Sequence, residues 1–144
     1  LQGMAISAYL HLISLYKDHQ QYDNIRTLMQ EVLSSQGISE QTLFITINAL
    51  KSLFEYEKIY DLYNENSLIK DDPILLGAAL NALSEEEDYI DFVEEEVVTY
   101  FEVLHDEPTY LETLRNVYDL TGSARVRDII SHFEQHHGPH GHHH

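Results

Sequence analysis

Residues 37–65 read GISEQTLFITINALKSLFEYEKIYDLYNE and have the pattern of one helical hairpin with its entry loop. Gly37 sits where a preceding helix ends, because glycine takes the left-handed backbone of a helix C-terminus at little cost. Leu43, Ile47, Leu50 and Phe54 recur at helical spacing and predict a first helix. A break falls at Glu55. Tyr56, Ile59, Leu62 and Tyr63 then carry the apolar stripe of a second helix.

The same unit recurs upstream. Over residues 4–17, Ile6, Tyr9, Leu12, Ile13 and Tyr16 predict a helix, and the polar run Asp18-His19-Gln20-Gln21 ends it. Tyr22, Ile25, Leu28, Met29 and Val32 predict its partner. Tyr22, Ile25 and Leu28 return as Tyr56, Ile59 and Leu62, each 34 residues later. That period belongs to two-helix repeat architectures.

Downstream, Asp71-Asp72-Pro73 opens a third unit, with Pro73 suited to the first turn of a helix. Ile74, Leu75, Ala78, Ala79, Ala82 and Leu83 follow, and the small side chains among them favour close helix approach. Ser84 and Glu87 have capping-box spacing and predict a long helix carrying Ile90, Val93, Val97, Phe101 and Leu104. Pro108 marks another start. Tyr110, Leu111, Leu114, Val117 and Tyr118 form a seventh helix, Thr121-Gly122-Ser123 breaks it, and Val126, Ile129, Ile130 and Phe133 form an eighth. Strand-type alternation is absent over any useful length.

Composition narrows the function. The 144 residues hold 43% apolar side chains, enough for a packed core. There is no cysteine, which excludes disulfides, thiolate metal sites and cysteine nucleophiles. The longest apolar run, around residues 73–80, stops at Asn81 and falls short of the ~20 residues a membrane helix requires. With no basic leader segment at the N-terminus, the expectation is a soluble, intracellular protein. Twenty-five acids against eight bases give a net charge of −17. Such a surface repels phosphate backbones and anionic membranes and favours basic proteins or peptides.

The hairpin units resemble the pentatricopeptide and tetratricopeptide repeat superfamily. The resemblance rests on Gly37-Ile38-Ser39-Glu40 leading into Thr42–Leu50, on Leu12–Tyr16 in the first unit and on Gly122–Val126 in the fourth. It implies an all-α, right-handed α-solenoid of about four antiparallel hairpins over residues 1–135, followed by a His-rich tail, 136–144. The pentatricopeptide branch implies an RNA-associated organellar factor, which reads bases with a polar side chain in each first helix. That position falls on Leu10 and Phe44, whose apolar side chains make no hydrogen bonds to base edges. The tetratricopeptide branch implies a non-catalytic scaffold for protein or peptide partners, which suits the acidic composition better.

Candidate site residues are acidic. From Asp71 to Leu114 there is no lysine or arginine, against fourteen acids counted along that stretch. Glu86, Glu87, Asp91, Glu94, Glu95, Glu96 and Glu102 are the expected contacts for a basic segment; the alternative is a solvated outer face. His132 and His136, four apart on one helix, are weak metal candidates. The tail beyond them reads as a tag or functionless end. Glu102 and His105 have di-iron spacing but lack the second copy that such a site needs. Neither a cofactor nor a catalytic set is expected. Arg115, Arg125 and Arg127 are the concentrated basic region, expected to pair with the acidic third unit. Of the tyrosines of the first two units (Tyr9, Tyr16, Tyr22, Tyr56, Tyr60 and Tyr63), most are expected to pack in the core with their hydroxyls at the rim, the alternative for a minority being to line a peptide groove. The apolar N-terminal helix suggests a homodimer or a covering neighbour, whether a further part of the chain or a complex partner.

Overall fold

The computed structural model describes residues 5–137, with side chains through Gln135. Met4, the expected start of the first helix, and residues 138–144 lie outside the described residues. Those described are all-helical. The order is α1 (Ile6–Asp18), α2 (Tyr22–Gln36), α3 (Glu40–Ser52), α4 (Tyr56–Glu65), α5 (Ser67–Asp71), α6 (Pro73–Leu83), a 3-10 turn (Glu87–Tyr89), α7 (Ile90–Thr99), α8 (Phe101–Leu104), α9 (Tyr110–Thr121) and α10 (Ala124–His137).

The opening stretch supplies the middle of the molecule. In α3, Thr42, Leu43, Ile45, Thr46, Ile47, Ala49 and Leu50 are all buried, so the helix is covered on two sides. Ile45 and Ala49 face back to Tyr9, Ile13, Ile25, Leu28 and Val32 of α1 and α2. Leu43, Ile47 and Leu50 face forward into a larger core that runs through α4, α6, α7, α9 and α10. The two buried threonines are satisfied locally: Thr42 Oγ1 donates to the Gly37 carbonyl (2.7 Å) and Thr46 Oγ1 to the Thr42 carbonyl (2.7 Å). α1 packs on α3, α3 on α6 and α6 on α9, while α2, α4, α7 and α10 each pack on the helix that precedes them in this row.

The 34-residue echo extends to the backbone. Gln20 and Phe54, 34 positions apart, have positive φ of 58° and 59°. The residues that follow them also agree, Gln21 at φ −94°, ψ 63° and Glu55 at φ −97°, ψ 70°. Gln20 N–H donates to the Lys17 carbonyl and Gln21 N–H to that of Tyr16; Phe54 N–H donates to Lys51 and Glu55 N–H to Leu50. Each pair is the double hydrogen bond of a Schellman helix end. One turn is thus built twice, at the period seen in the side chains.

The structure corrects several expectations. Phe54 is not in the α3 stripe: it occupies this left-handed turn with its ring 57% exposed, and Lys17 Nζ stands 5.3 Å over it. Gly37 has the expected positive φ, 72°, but ψ of −164° leads the chain outward instead of closing a left-handed cap. Ser84 caps no following helix. It ends α6, its Oγ donating to the Asn81 carbonyl (2.6 Å) and accepting from the Asn116 amide (3.1 Å). The capping box lies instead at Ser39 and Thr42. The expected long helix is broken at Tyr100 (φ −100°, ψ 28°), which turns α8 onto α6 and buries Leu104. α5 is an additional short helix. Of the apolar residues expected on the outside of α1, Tyr9 is buried and Ile6, Leu10 and Leu12 are half-buried, while Ser7, Ala8, His11, Ser14 and Leu15 are exposed.

Candidate functional site

A groove of about 320 Å³ follows the row of first helices, between α3 and α6. Phe44 and Asn48 of α3, Ile74 and Ala78 of α6, and Pro108 line it. Phe44 is half-buried and Ile74 is 59% exposed, so the groove offers apolar surface to solvent. Helical spacing explains the alignment: Glu40, Phe44, Ile47 and Lys51 rise along one side of α3 at intervals of three and four. The third wall is the loop Glu107–Thr109. It lies directly on α6 because Gly77 has no side chain; a methyl group there would overlap Glu107, whose Cγ stands 2.8 Å from where it would sit. This close approach explains a glycine within a helix, where it costs about 1 kcal/mol relative to alanine. The Glu107 carboxylate in turn accepts from the Thr109 N–H (2.8 Å) and hydroxyl, so the loop holds its own shape.

The ends of the two helices that flank the groove are polar. At the C-terminal ends of α3 and α6, Lys51 Nζ donates to Asn81 Oδ1 (3.0 Å) and lies 3.4 Å from Glu85. The Asn81 amide donates onward to Glu112 (2.8 Å) and to Thr113 (3.0 Å) of α9. One buried asparagine therefore ties three first helices together. At the opposite end, Glu40 begins α3 and Asp72 caps α6, accepting from the Ile74 (2.8 Å) and Leu75 (3.2 Å) N–H groups. Neighbouring Asp72, by hydrogen bonding first and then by its charge, with slight desolvation, holds the Glu40 carboxyl above its usual value.

The acids singled out from sequence do not form one face. Glu94 and Glu95 both pair with Arg125 of α10, Glu94 at 3.2 Å. Those hydrogen bonds raise the guanidinium pKa further. Glu96 points the other way and accepts from the Tyr63 hydroxyl (2.6 Å); burial first, then this carboxylate, pushes the Tyr63 pKa up. Glu86 caps the 3-10 turn. Glu87, Asp91 and Glu102 are exposed. The expected pairing of the basic cluster with the third unit holds for Arg125, whereas Arg115 pairs with Glu134 (3.3 Å) and Arg127 with Asp128 (3.7 Å).

His132 packs in an aromatic cluster with Phe101, His105 and Phe133, its ring 5.9 Å from that of His105. The His136 side chain lies outside the described residues. Among the described residues no three His, Cys, Asp or Glu side chains are placed to hold a metal ion. Tyr9 and Tyr63 are buried, and Tyr16, Tyr22, Tyr56 and Tyr60 are half-buried. The Tyr56 hydroxyl reaches Glu85 (3.2 Å), and burial followed by the Glu85 and Glu86 charges lifts its pKa to about 12. No helix among the described residues is long and apolar enough to cross a membrane.

Asn81, Gly77 and the Glu40–Asp72 pair are absent from the sequence-derived site. Asn81 gave one signal, a polar residue interrupting the longest apolar run. The chain matches no protein-family model, no curated protein and no solved structure.

Proposed function

We propose that this chain is a non-catalytic helical-repeat scaffold that binds protein or peptide segments of basic character. In this reading α1/α2, α3/α4, α6/α7 and α9/α10 are four degenerate repeats of a right-handed solenoid, related to the tetratricopeptide and pentatricopeptide superfamily. The observation that carries it is the row α1–α3–α6–α9 with an open, partly apolar groove along its middle. A helix row with such a groove is a surface on which an extended segment can lie. The turn repeated at 34 residues supports the repeat assignment, and the −17 charge supports the sign of the partner. Of the third-unit acids, Glu87, Asp91 and Glu102 are exposed for such contacts.

The test is paired titration at low salt: a fluorescent Lys/Arg-rich peptide in one arm, single-stranded RNA retained on a filter in the other. Peptide binding that weakens as salt rises, with no RNA retained, is the expected result. RNA retention without peptide binding, or neither, overturns the reading.

A further inference from the structure

Glu40 begins α3 and Asp72 caps α6, the two helices that flank the apolar groove. Glu40 and Phe44 are one turn apart on α3, and Asp72 and Ile74 open α6 beside them. Glu107 lies over Gly77 on the same side. Two carboxylates therefore stand at the N-terminal ends of the helices that flank the cleft, and Glu107 lines its wall together with Phe44, Ile74, Ala78 and Pro108. Lys51 stands at the far end, eleven residues up α3, or roughly 16 Å at 1.5 Å per residue. It is already engaged by Asn81 and Glu85. Between Glu40 and Lys51 there is room for about five extended residues.

The carboxylates also have local duties. Asp72 caps α6 and Glu107 holds its loop, while Glu40 and Asp72 face one another. A cation placed beside them would offset the like charges of Glu40 and Asp72. Water-exposed Ile74 adds apolar area that an incoming side chain covers.

Resting on the scaffold reading above, we infer that the α3–α6 groove takes a short peptide segment with two anchors. A large aliphatic or aromatic side chain fills the cleft over Phe44 and Ile74. A lysine or arginine a few residues away sits against Glu40 and Asp72. This places the site on the first-helix row and not on the α7 acids. It also sets specificity: charge alone is insufficient, because the cleft requires the apolar anchor, and an apolar peptide lacking the cation leaves the mouth repulsive.

The experiment is fluorescence anisotropy on the full chain with labelled decapeptides carrying one central leucine and three lysines to one side or the other. Two control peptides replace leucine by serine or the lysines by glutamate. The Leu–Lys peptide is expected to bind, and both controls at least tenfold more weakly. Glu40→Gln with Asp72→Asn retains the α6 cap, since asparagine also caps. That double variant is expected to weaken the Leu–Lys peptide roughly fourfold to tenfold, at about twofold to threefold per exposed charge, and to flatten its salt dependence. Ile74→Ser is expected to cost about tenfold with the salt dependence unchanged. Urea unfolding of each variant confirms the fold. If these variants bind the Leu–Lys peptide like wild type, this site is wrong while the broader basic-peptide reading stands. If no lysine peptide binds wild type, both fail.

Discussion

Asn81→Ala probes the ladder that holds the first helices in register. Asn81 is buried and makes three hydrogen bonds, to Lys51 on α3 and to Glu112 and Thr113 on α9. Each bond contributes about 0.5–1.5 kcal/mol net, so the gross value is about 1.5–4.5 kcal/mol. The partners soften the loss. Lys51 remains near Glu85 with a third of its side chain in water, and Glu112 is exposed, so both rehydrate. Thr113 keeps its bond to the Thr109 carbonyl (3.0 Å). Removing the amide also leaves a small void at a buried position. The expected destabilisation is about 2–3 kcal/mol, which lowers Tm by roughly 6–10 °C for a chain of this size. Urea unfolding followed by far-UV circular dichroism measures it. A cycle with Lys51→Met should return a coupling of at least ~0.5 kcal/mol. A loss below ~1 kcal/mol with no coupling refutes the ladder as a tie between helices. Because Asn81 also lines the groove, peptide affinity should fall in parallel.

Gln20→Gly relieves a left-handed non-glycine residue and is expected to stabilise by about 0.5–1 kcal/mol after the entropy gained by the unfolded chain; a lower urea midpoint at constant slope contradicts the repeated turn. Phe54→Gly is expected to be near neutral, since it also loses the Lys17 contact, worth about 0.5 kcal/mol. The two carboxylates Glu55 and Glu40 should respond to acid with opposite signs. Burial tends to raise Glu55, but Lys58 and Arg26 outweigh this and hold it below 4.5, so its stabilisation is present above that pH and lost as pH falls through the folded value. Glu55→Gln should cost about 0.5–1 kcal/mol at pH 7 and flatten the acid limb of a stability profile. Glu40 is held above 4.5, so stability is fully present below that pH and lost as pH rises through the folded value. Glu40→Gln should therefore exceed wild type at pH 7 and match it below pH 4.5; equality at pH 7 removes the proposed repulsion with Asp72.

Helix positions were legible because periodicity reports burial directly. α2, α4, α9 and α10 fall where their stripes place them. Punctuation was harder to read. Phe54 follows Leu50 by four and so fits a stripe, yet the Schellman turn is set by backbone bonds that no glycine announces. Ser84 and Glu87 match a capping-box spacing, but the Ser84 hydroxyl is drawn into the core by Asn81 and Asn116. The actual box uses Thr42 in place of the usual Glu or Gln, so the pattern passed over it. The acidic run was visible, but its orientation was not. Glu94 and Glu96 are two residues apart on α7 and hence on different sides, which separates Arg125 from Tyr63. The groove depends on the fit of Gly77 to Glu107, thirty positions apart, and no local pattern encodes that.

The disposition of the eight basic side chains bears on the proposed partner class more directly than net charge does. Arg26 and Lys58 meet Glu55, Lys51 meets Glu85, Arg115 meets Glu134, Arg125 meets Glu94 and Glu95, and Arg127 meets Asp128. The remaining two, Lys17 and Lys70, lie over the rings of Phe54 and Tyr63. Every cation thus has a contact within the chain, and a phosphate backbone would have to displace one for each charge it neutralised. Affinity for nucleic acid comes largely from releasing counterions against exposed Lys and Arg, a term this surface is poorly arranged to supply. A basic segment meets the reverse situation. Exposed Glu40 lies near Asp72, so in the proposed reading an incoming lysine or arginine relieves like-charge repulsion there. In the proposed reading, part of that acidic excess lies beside the α3–α6 cleft and selects for a basic segment.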